Sequence, residues 1–202
     1  MFDSYLKDVR VLIVDDQDFV RQLLRHILGV LGCTRIMDAV NGEDAWEAIQ
    51  DDPPDLAIID WEMEPMNGLE LIKRIRNDPS SSDAFLPIIM VSAYSERARI
   101  VAARDSGINE FVMKPVSAKA LFSRLNAVIE HPRRFVRAGE YFGPDRRRRD
   151  KFVPQDRRQK KGEEPEAVDA ADMKVAGKVE MSQDEVNTFM NPEDEQAEGS
   201  AG

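Results

Sequence analysis

The sequence predicts an α/β fold, a doubly wound parallel sheet of five strands with helices on both faces, followed by a charged tail. Three observations carry this expectation. Short apolar, strand-sized runs alternate five times with stretches of helical period before residue 130. The runs are rich in Val and Ile, as strands buried on both faces require. Beyond residue 130 apolar runs give way to blocks of charge, so one core is expected rather than two.

The strands are expected at 10–14, 35–38, 56–59, 88–91 and 110–113, with helices over 18–31, 43–50, 69–76, 96–105 and 118–130. Asn41, Ser95 and Ser117 stand where helix N-caps belong, and Gly107 stands just past a helix end. Pro53-Pro54 and Pro79 interrupt helical pattern. Strands that alternate with helices in this way give a parallel sheet with right-handed crossovers.

In such a sheet, chemistry gathers at the carboxyl ends of the strands. Asp15 and Asp16 follow the first strand, Asp60 the third, Ser92 ends the fourth and Lys114 follows the fifth. Three carboxylates in one crevice repel one another unless a cation is present, and a hard divalent ion such as Mg²⁺ suits oxygen ligands. Taken singly, each Asp has a plainer reading as a helix cap or a turn residue. Their convergence with Lys114 favours a built site.

The charge is unevenly spread. Residues 1–130 carry 14 Lys and Arg against 22 Asp and Glu, residues 131–161 carry 12 against 4, and residues 162–202 carry 2 against 12. This acid–base–acid order points to interaction segments. The last block, poor in aromatic residues, is expected to be largely disordered. Cys33 is the only cysteine, which excludes an internal disulfide and fits a small buried residue in a reducing compartment. No run is long enough to span a membrane, so the expectation is a cytoplasmic protein without membrane insertion.

The runs Val11-Leu12-Ile13-Val14-Asp15-Asp16, Leu56-Ala57-Ile58-Ile59-Asp60, Met66-Asn67-Gly68-Leu69-Glu70, Val91-Ser92-Ala93 and Met113-Lys114-Pro115 together resemble the CheY-like receiver domains of two-component response regulators. The resemblance implies a flavodoxin-like strand order of 2-1-3-4-5. It makes Asp60 the residue that accepts a phosphoryl group from a histidine kinase. It also implies that Asp16 and Asp60 ligate Mg²⁺ directly, Asp15 largely through water, and Glu62 through its main-chain carbonyl. Lys114 and Ser92 would contact the phosphoryl oxygens, Phe111 would be the switch aromatic, and Lys114-Pro115 a cis peptide. Such a domain promotes its own phosphorylation and dephosphorylation and is not expected to be an enzyme with turnover.

The sequence departs from the family pattern in one loop, where Glu64 holds a place usually taken by proline and Pro65 follows. The expected consequence is an intact pocket with an altered loop conformation. The side chain of Glu62 is read either as a solvated loop acid or as a residue that tunes phosphate lifetime.

The basic block contains a near repeat, Phe142-Gly143-Pro144-Asp145-Arg146-Arg147 and Phe152-Val153-Pro154-Gln155-Asp156-Arg157-Arg158. Arg pairs bidentately with phosphate or with guanine O6 and N7, a carboxylate accepts from guanine, and aromatic rings stack on bases. The segment resembles the arginine-rich extension of CheY-like cyclic-di-GMP effectors of the flagellar motor. The resemblance implies a ligand site at Asp145, Arg146, Arg147, Arg148, Arg149, Asp156, Arg157 and Arg158. A plain basic linker remains an alternative reading of the segment.

Residues 181–190 resemble the N-terminal peptide of a flagellar motor switch protein, with Ser182 and Glu185 spaced as a capping box. They could dock on this receiver or on another, or form no more than a capped helix. The expected domains are therefore a receiver over 1–130, an arginine-rich segment over 131–161 and an acidic tail over 162–202. The expected function is a phosphorylation-dependent regulator whose protein target is the flagellar motor switch. A receiver with a non-specific nucleic-acid-binding arm, and a phosphate sink that needs no tail, are the alternatives.

Overall fold

The computed structural model describes residues 6–139, 141–146 and 182–190, the last stretch without the side chains of 185 and 187–189. Five strands, β1 (Arg10–Val14), β2 (Arg35–Ala39), β3 (Leu56–Asp60), β4 (Ile88–Ser92) and β5 (Glu110–Met113), form one parallel sheet in the order β2-β1-β3-β4-β5. The expected topology is therefore observed.

Strand alternation sends residues to two cores. Leu12, Val14, Ala57, Ile59, Ile88, Met90 and Phe111 face one side. There they pack with Trp46 and Ile49 of α2 (Gly42–Asp51), Leu71 and Ile75 of α3 (Gly68–Asn77), and Ile100 of α4 (Arg97–Asp105). Val11, Ile13, Ile58, Ile89, Val91 and Val112 face the other. They meet Leu24 and Leu28 of α1 (Asp18–Val30) and Leu121 and Leu125 of α5 (Ala118–Glu130). The two-residue period of the strands sends successive side chains to opposite faces. Cys33 is buried, as expected.

Local signals set most helix starts. Asn41 accepts from the Asp44 N–H and Ser117 from the Ala120 N–H, each satisfying a first-turn donor. Asn67 and Glu70 complete a capping box at α3. The expectation for Ser95 is corrected: α4 starts one residue later, behind Glu96, with no side-chain cap bond. Gly107, past the end of α4, has φ +96°, a left-handed conformation that favours glycine. A Cβ there would also sit 2.5 Å from the Phe142 carbonyl oxygen.

That contact introduces an element the sequence reading did not foresee. Strands β6 (Phe135–Ala138) and β7 (Tyr141–Pro144) pair as an antiparallel hairpin inside the arginine-rich segment. The rings of Phe135 and Phe142 pack with Phe85, at centroid distances of 5.2 and 5.1 Å. Arg76 lies beneath them, fully buried, with its guanidinium 5.0 Å from the Phe135 ring. It donates to the carbonyls of Gly107 (3.0 Å) and Ala84 (2.9 Å) and to Oδ1 of Asn109 (3.4 Å). A buried charge needs such partners to be tolerated.

A last helix, α6 (Gln183–Met190), packs against β5. Residues 147–181 and 191–202, with most of the expected acidic tail, lie outside the described residues. Among the described residues no helix is long and apolar enough to cross a membrane.

Candidate functional site

The site forms where the carboxyl ends of β1, β3, β4 and β5 converge. Asp60, the last residue of β3, is buried, and Asp15, one residue beyond β1, is buried beside it. Asp16 is exposed. Oxygen atoms of these three carboxylates lie within 4.8 Å of one another. Lys114, just past β5, reaches both buried acids, with its ammonium 2.8 Å from Asp60 Oδ1 and 2.9 Å from Asp15 Oδ2.

The electrostatics follow from burial. Desolvation pushes the Asp60 carboxyl above the usual carboxylate range, despite the opposing pull of Lys114. Burial pulls down on the Lys114 ammonium, but its hydrogen bonds to Asp60 and Asp15 outweigh that and hold it above the ordinary lysine value. Lys114 thus pairs with two of the three carboxylates, and Asp16 forms no ion pair among the described residues. The donor set is all oxygen, which fits Mg²⁺. The carboxylate of Asp15 is already engaged, because its Oδ1 accepts from the Gln17 N–H at 2.9 Å and its Oδ2 from Lys114. The carboxylate of Asp16, in contrast, is exposed.

The loop after Asp60 is closed by short backbone bonds. The Gly68 N–H donates to the Trp61 carbonyl at 2.9 Å, and the Gly42 N–H to the Met66 carbonyl at 3.1 Å. A Cβ on Gly68 would lie 2.0 Å from the Asp60 carbonyl oxygen, so glycine lets α3 start directly against the end of β3. The peptide Glu64-Pro65 is cis, giving the loop a conformation consistent with the expected departure. Lys114-Pro115 is also cis, as expected.

Ser92 is buried at the end of β4, and its Oγ accepts from the Tyr94 N–H at 3.1 Å. Phe111 is buried, facing the α2–α3–α4 core. The side chain of Glu62 is largely exposed, yet it accepts from the Tyr94 hydroxyl and lies 3.7 Å from Arg99. Arg99 in turn covers the Tyr94 ring at 3.5 Å. The sequence reading missed Tyr94 and Arg99, since a lone aromatic and a lone arginine carry no spacing signal.

The hairpin builds a second feature. A cleft of about 740 Å³ lies between it and the α3–α4 side of the sheet, lined by Lys73, Asn77, Asp105, Arg137, Tyr141 and Arg146 among others. Arg146 pairs with Asp105 at 2.7 Å and stacks on Tyr141, and its Nη2 is buried with no hydrogen-bond partner among the described residues. The main-chain N–H of Asp145 donates to the Arg134 carbonyl. Of the expected ligand residues, only Asp145 and Arg146 are described. Arg147, Arg148, Arg149, Asp156, Arg157 and Arg158 lie outside the described residues.

Comparison with known proteins bears on the first site. The family model of the response regulator receiver domain matches residues 11–126. The chain is 31% identical over 122 residues to the chemotaxis protein CheY1 of Helicobacter pylori, covering 60% of this chain and 97% of that protein. It is 32% identical over 122 residues to a chemotaxis CheY homologue of Campylobacter jejuni, covering 60% of this chain and 92% of the relative. The solved structure of the Vibrio cholerae chemotaxis protein CheY4 superposes with a TM-score of 0.54 at 28% identity, over 59% of this chain and 98% of that one. Receiver domains accept phosphoryl groups, and the converging acids and lysine described above occupy the matched region. This chain belongs to the response regulator receiver domain family, of the CheY-like two-component and chemotaxis type.

Proposed function

We propose that Asp60 is the phosphoryl acceptor of a two-component pathway and that the protein is a signalling regulator, not an enzyme with turnover. The observation that carries the proposal is the Lys114 ammonium held within 2.9 Å of both Asp60 and Asp15, at the strand ends where three carboxylates meet. A carboxylate oxygen of Asp60 attacks the phosphorus of a phosphohistidine on a histidine kinase. The new O–P bond forms as the P–N bond breaks, and the electron pair leaves with the imidazole. Lys114 stabilises the negative charge on the phosphoryl oxygens. Asp16 and Asp60 would hold Mg²⁺ directly, Asp15 largely through water, and the Glu62 main-chain carbonyl would complete the protein ligands. When bound, the ion supplies further positive charge to the same oxygens.

Ser92 and Phe111 are the proposed switch pair. The Ser92 hydroxyl can donate to a phosphoryl oxygen, a bond to a charged group worth about 1.5–3 kcal/mol, enough to bias a two-state loop. The test is labelling with acetyl phosphate and Mg²⁺, read by intact mass. The wild type should gain one phosphoryl group and Asp60→Asn none. Labelling of the Asn variant at the wild-type level overturns the assignment.

The proposed division is a receiver over 1–130, an arginine-rich segment over 131–161 and an acidic tail over 162–202. The second segment is proposed to bind cyclic-di-GMP and to direct the protein to the flagellar motor switch, in the cytoplasm. The cleft beside the hairpin supports this, since Lys73, Arg137 and Arg146 bring cations and Tyr141 a ring to one place. Calorimetric titration with cyclic-di-GMP tests it. Replacing Arg146, Arg147, Arg157 and Arg158 by Lys keeps the charge but removes the planar fork, and should weaken binding at least tenfold. Full retention by that variant would favour a plain basic arm.

A further inference from the structure

Among the described residues, β5 is the last strand of the sheet, with β4 on one side and no strand on the other. The backbone groups of an edge strand invite pairing from outside. Here α6 covers them. Gln183, its first residue, accepts from the Met113 N–H through Oε1 at 2.6 Å, and its Nε2 donates to the Phe111 carbonyl at 3.5 Å. One carboxamide thus imitates the donor and acceptor that a neighbouring strand would have offered.

The rest of the helix reinforces that grip. Val186 and Met190 stand three and seven residues after Gln183, so all three share one helix face. Both are buried, at 0% and 5% exposure, in the same apolar cluster as Phe111. At the far end, both terminal nitrogens of Arg133 donate to the Met190 carbonyl at 3.2 Å, a cation at a helix carboxyl terminus. Arg133 is itself drawn toward β5, with Nη2 3.8 Å from Glu110 Oε1, while Arg124 holds the other oxygen of that carboxylate at 3.0 Å. Gln183 thus holds Met113 and Phe111 of β5, and Arg133 links the end of α6 to Glu110.

We propose that α6 is a built-in occupant of the β5 edge, docked there by its own chain so that it closes this edge to helices from outside. The recognised pattern is a carboxamide in the first turn followed by apolar residues three and seven positions on. Residues 147–181 tether this occupant to the hairpin. A tether can supply an effective concentration on the order of 1 mM, far above what a free helix reaches at micromolar levels. An outside helix of the same pattern therefore binds only when α6 is displaced. This inference rests on the fold and on the α6 contacts, and is independent of the phosphoacceptor and cyclic-di-GMP readings.

The test uses full-length protein and a fluorescein-labelled peptide of residues 180–192, titrated by anisotropy. The double variant Val186→Asp, Met190→Asp releases α6 but leaves the β5 surface intact. It should bind the peptide at least tenfold more tightly than the wild type does. Gln183→Ala, which keeps the apolar pair, should fall between them, and serves if the double variant fails to fold. Sedimentation should find the wild type monomeric. Equal peptide affinity for all three proteins, no binding to any of them at millimolar peptide, or a wild-type dimer with α6 exchanged between copies would each overturn the proposal.

Discussion

Adding one methyl group at Gly68 tests the proposed acceptor site through its backbone. The Cβ of Gly68→Ala would lie 2.0 Å from the Asp60 carbonyl oxygen, 3.0 Å from its carbonyl carbon and 3.1 Å from Ile59 Cγ2. Relief requires the start of α3 and the end of β3 to part by about 1 Å, because close-packed interiors have no slack to absorb the overlap. Asp60 is not free to yield, since it pairs with Val91 in β4 and the next N–H, that of Trp61, donates to the Val91 carbonyl. Overpacking costs about 1–3 kcal/mol, and a clash with backbone belongs at the upper end of that range. A shift of about 1 Å at a reacting group can also cost about a hundredfold in rate.

The capping box of Asn67 and Glu70 is untouched, so helix initiation does not confound the result. Gly29→Ala is the control. A Cβ there meets nothing within 4 Å, and the position is exposed inside α1. That substitution should stabilise the protein by about 0.5–1 kcal/mol. Urea midpoints should therefore move in opposite directions for the two variants, and acetyl phosphate labelling should slow by at least tenfold for Gly68→Ala alone. If Gly68→Ala labels at the wild-type rate with an unchanged midpoint, the close approach of α3 does not position Asp60.

Arg76→Met keeps most of the side-chain bulk but takes the guanidinium donor from the Gly107 and Ala84 carbonyls, while Asn109 Oδ1 keeps the Ile88 N–H. A net loss of about 2–4 kcal/mol in urea denaturation is expected, since unmet buried acceptors outweigh the relief of not burying a charge, and equal or greater stability would refute that balance. Glu62→Asn should change the half-life of the acyl phosphate severalfold without blocking labelling, because it alters a carboxylate close to the acceptor loop. An unchanged half-life returns the side chain to a plain loop acid. The same substitution should lower the titration midpoint of the Tyr94 phenol, which the hydrogen bond to Glu62 holds above its ordinary value, as followed by ultraviolet absorbance against pH.

Much of the receiver is written in local and periodic signals. Five apolar strand runs, the caps at Asn41 and Ser117 and the glycine after α4 each act within a few residues, so they can be read one at a time. The acids and lysine of the pocket were equally legible, because a parallel sheet brings strand ends together whatever the details of packing. The hairpin of β6 and β7 was not legible. Its strands are four residues each, and beyond the hairpin itself their rings pack on Phe85 and Arg76, both far away in sequence. The burial of Arg76 is a similar case, since its acceptors come from two separate stretches of chain, at Ala84 and at Gly107 and Asn109. The amphipathic run at 181–190 marked a helix by its own spacing, but where it docks depended on β5 being the edge of the described sheet, whose Met113 N–H and Phe111 carbonyl Gln183 meets. By itself the sequence determined the sheet, its order of helices and the residues that meet at its carboxyl ends. Tertiary structure decided which distant side chains are held together, because those partners are chosen by geometry across the fold and leave no pattern along the chain.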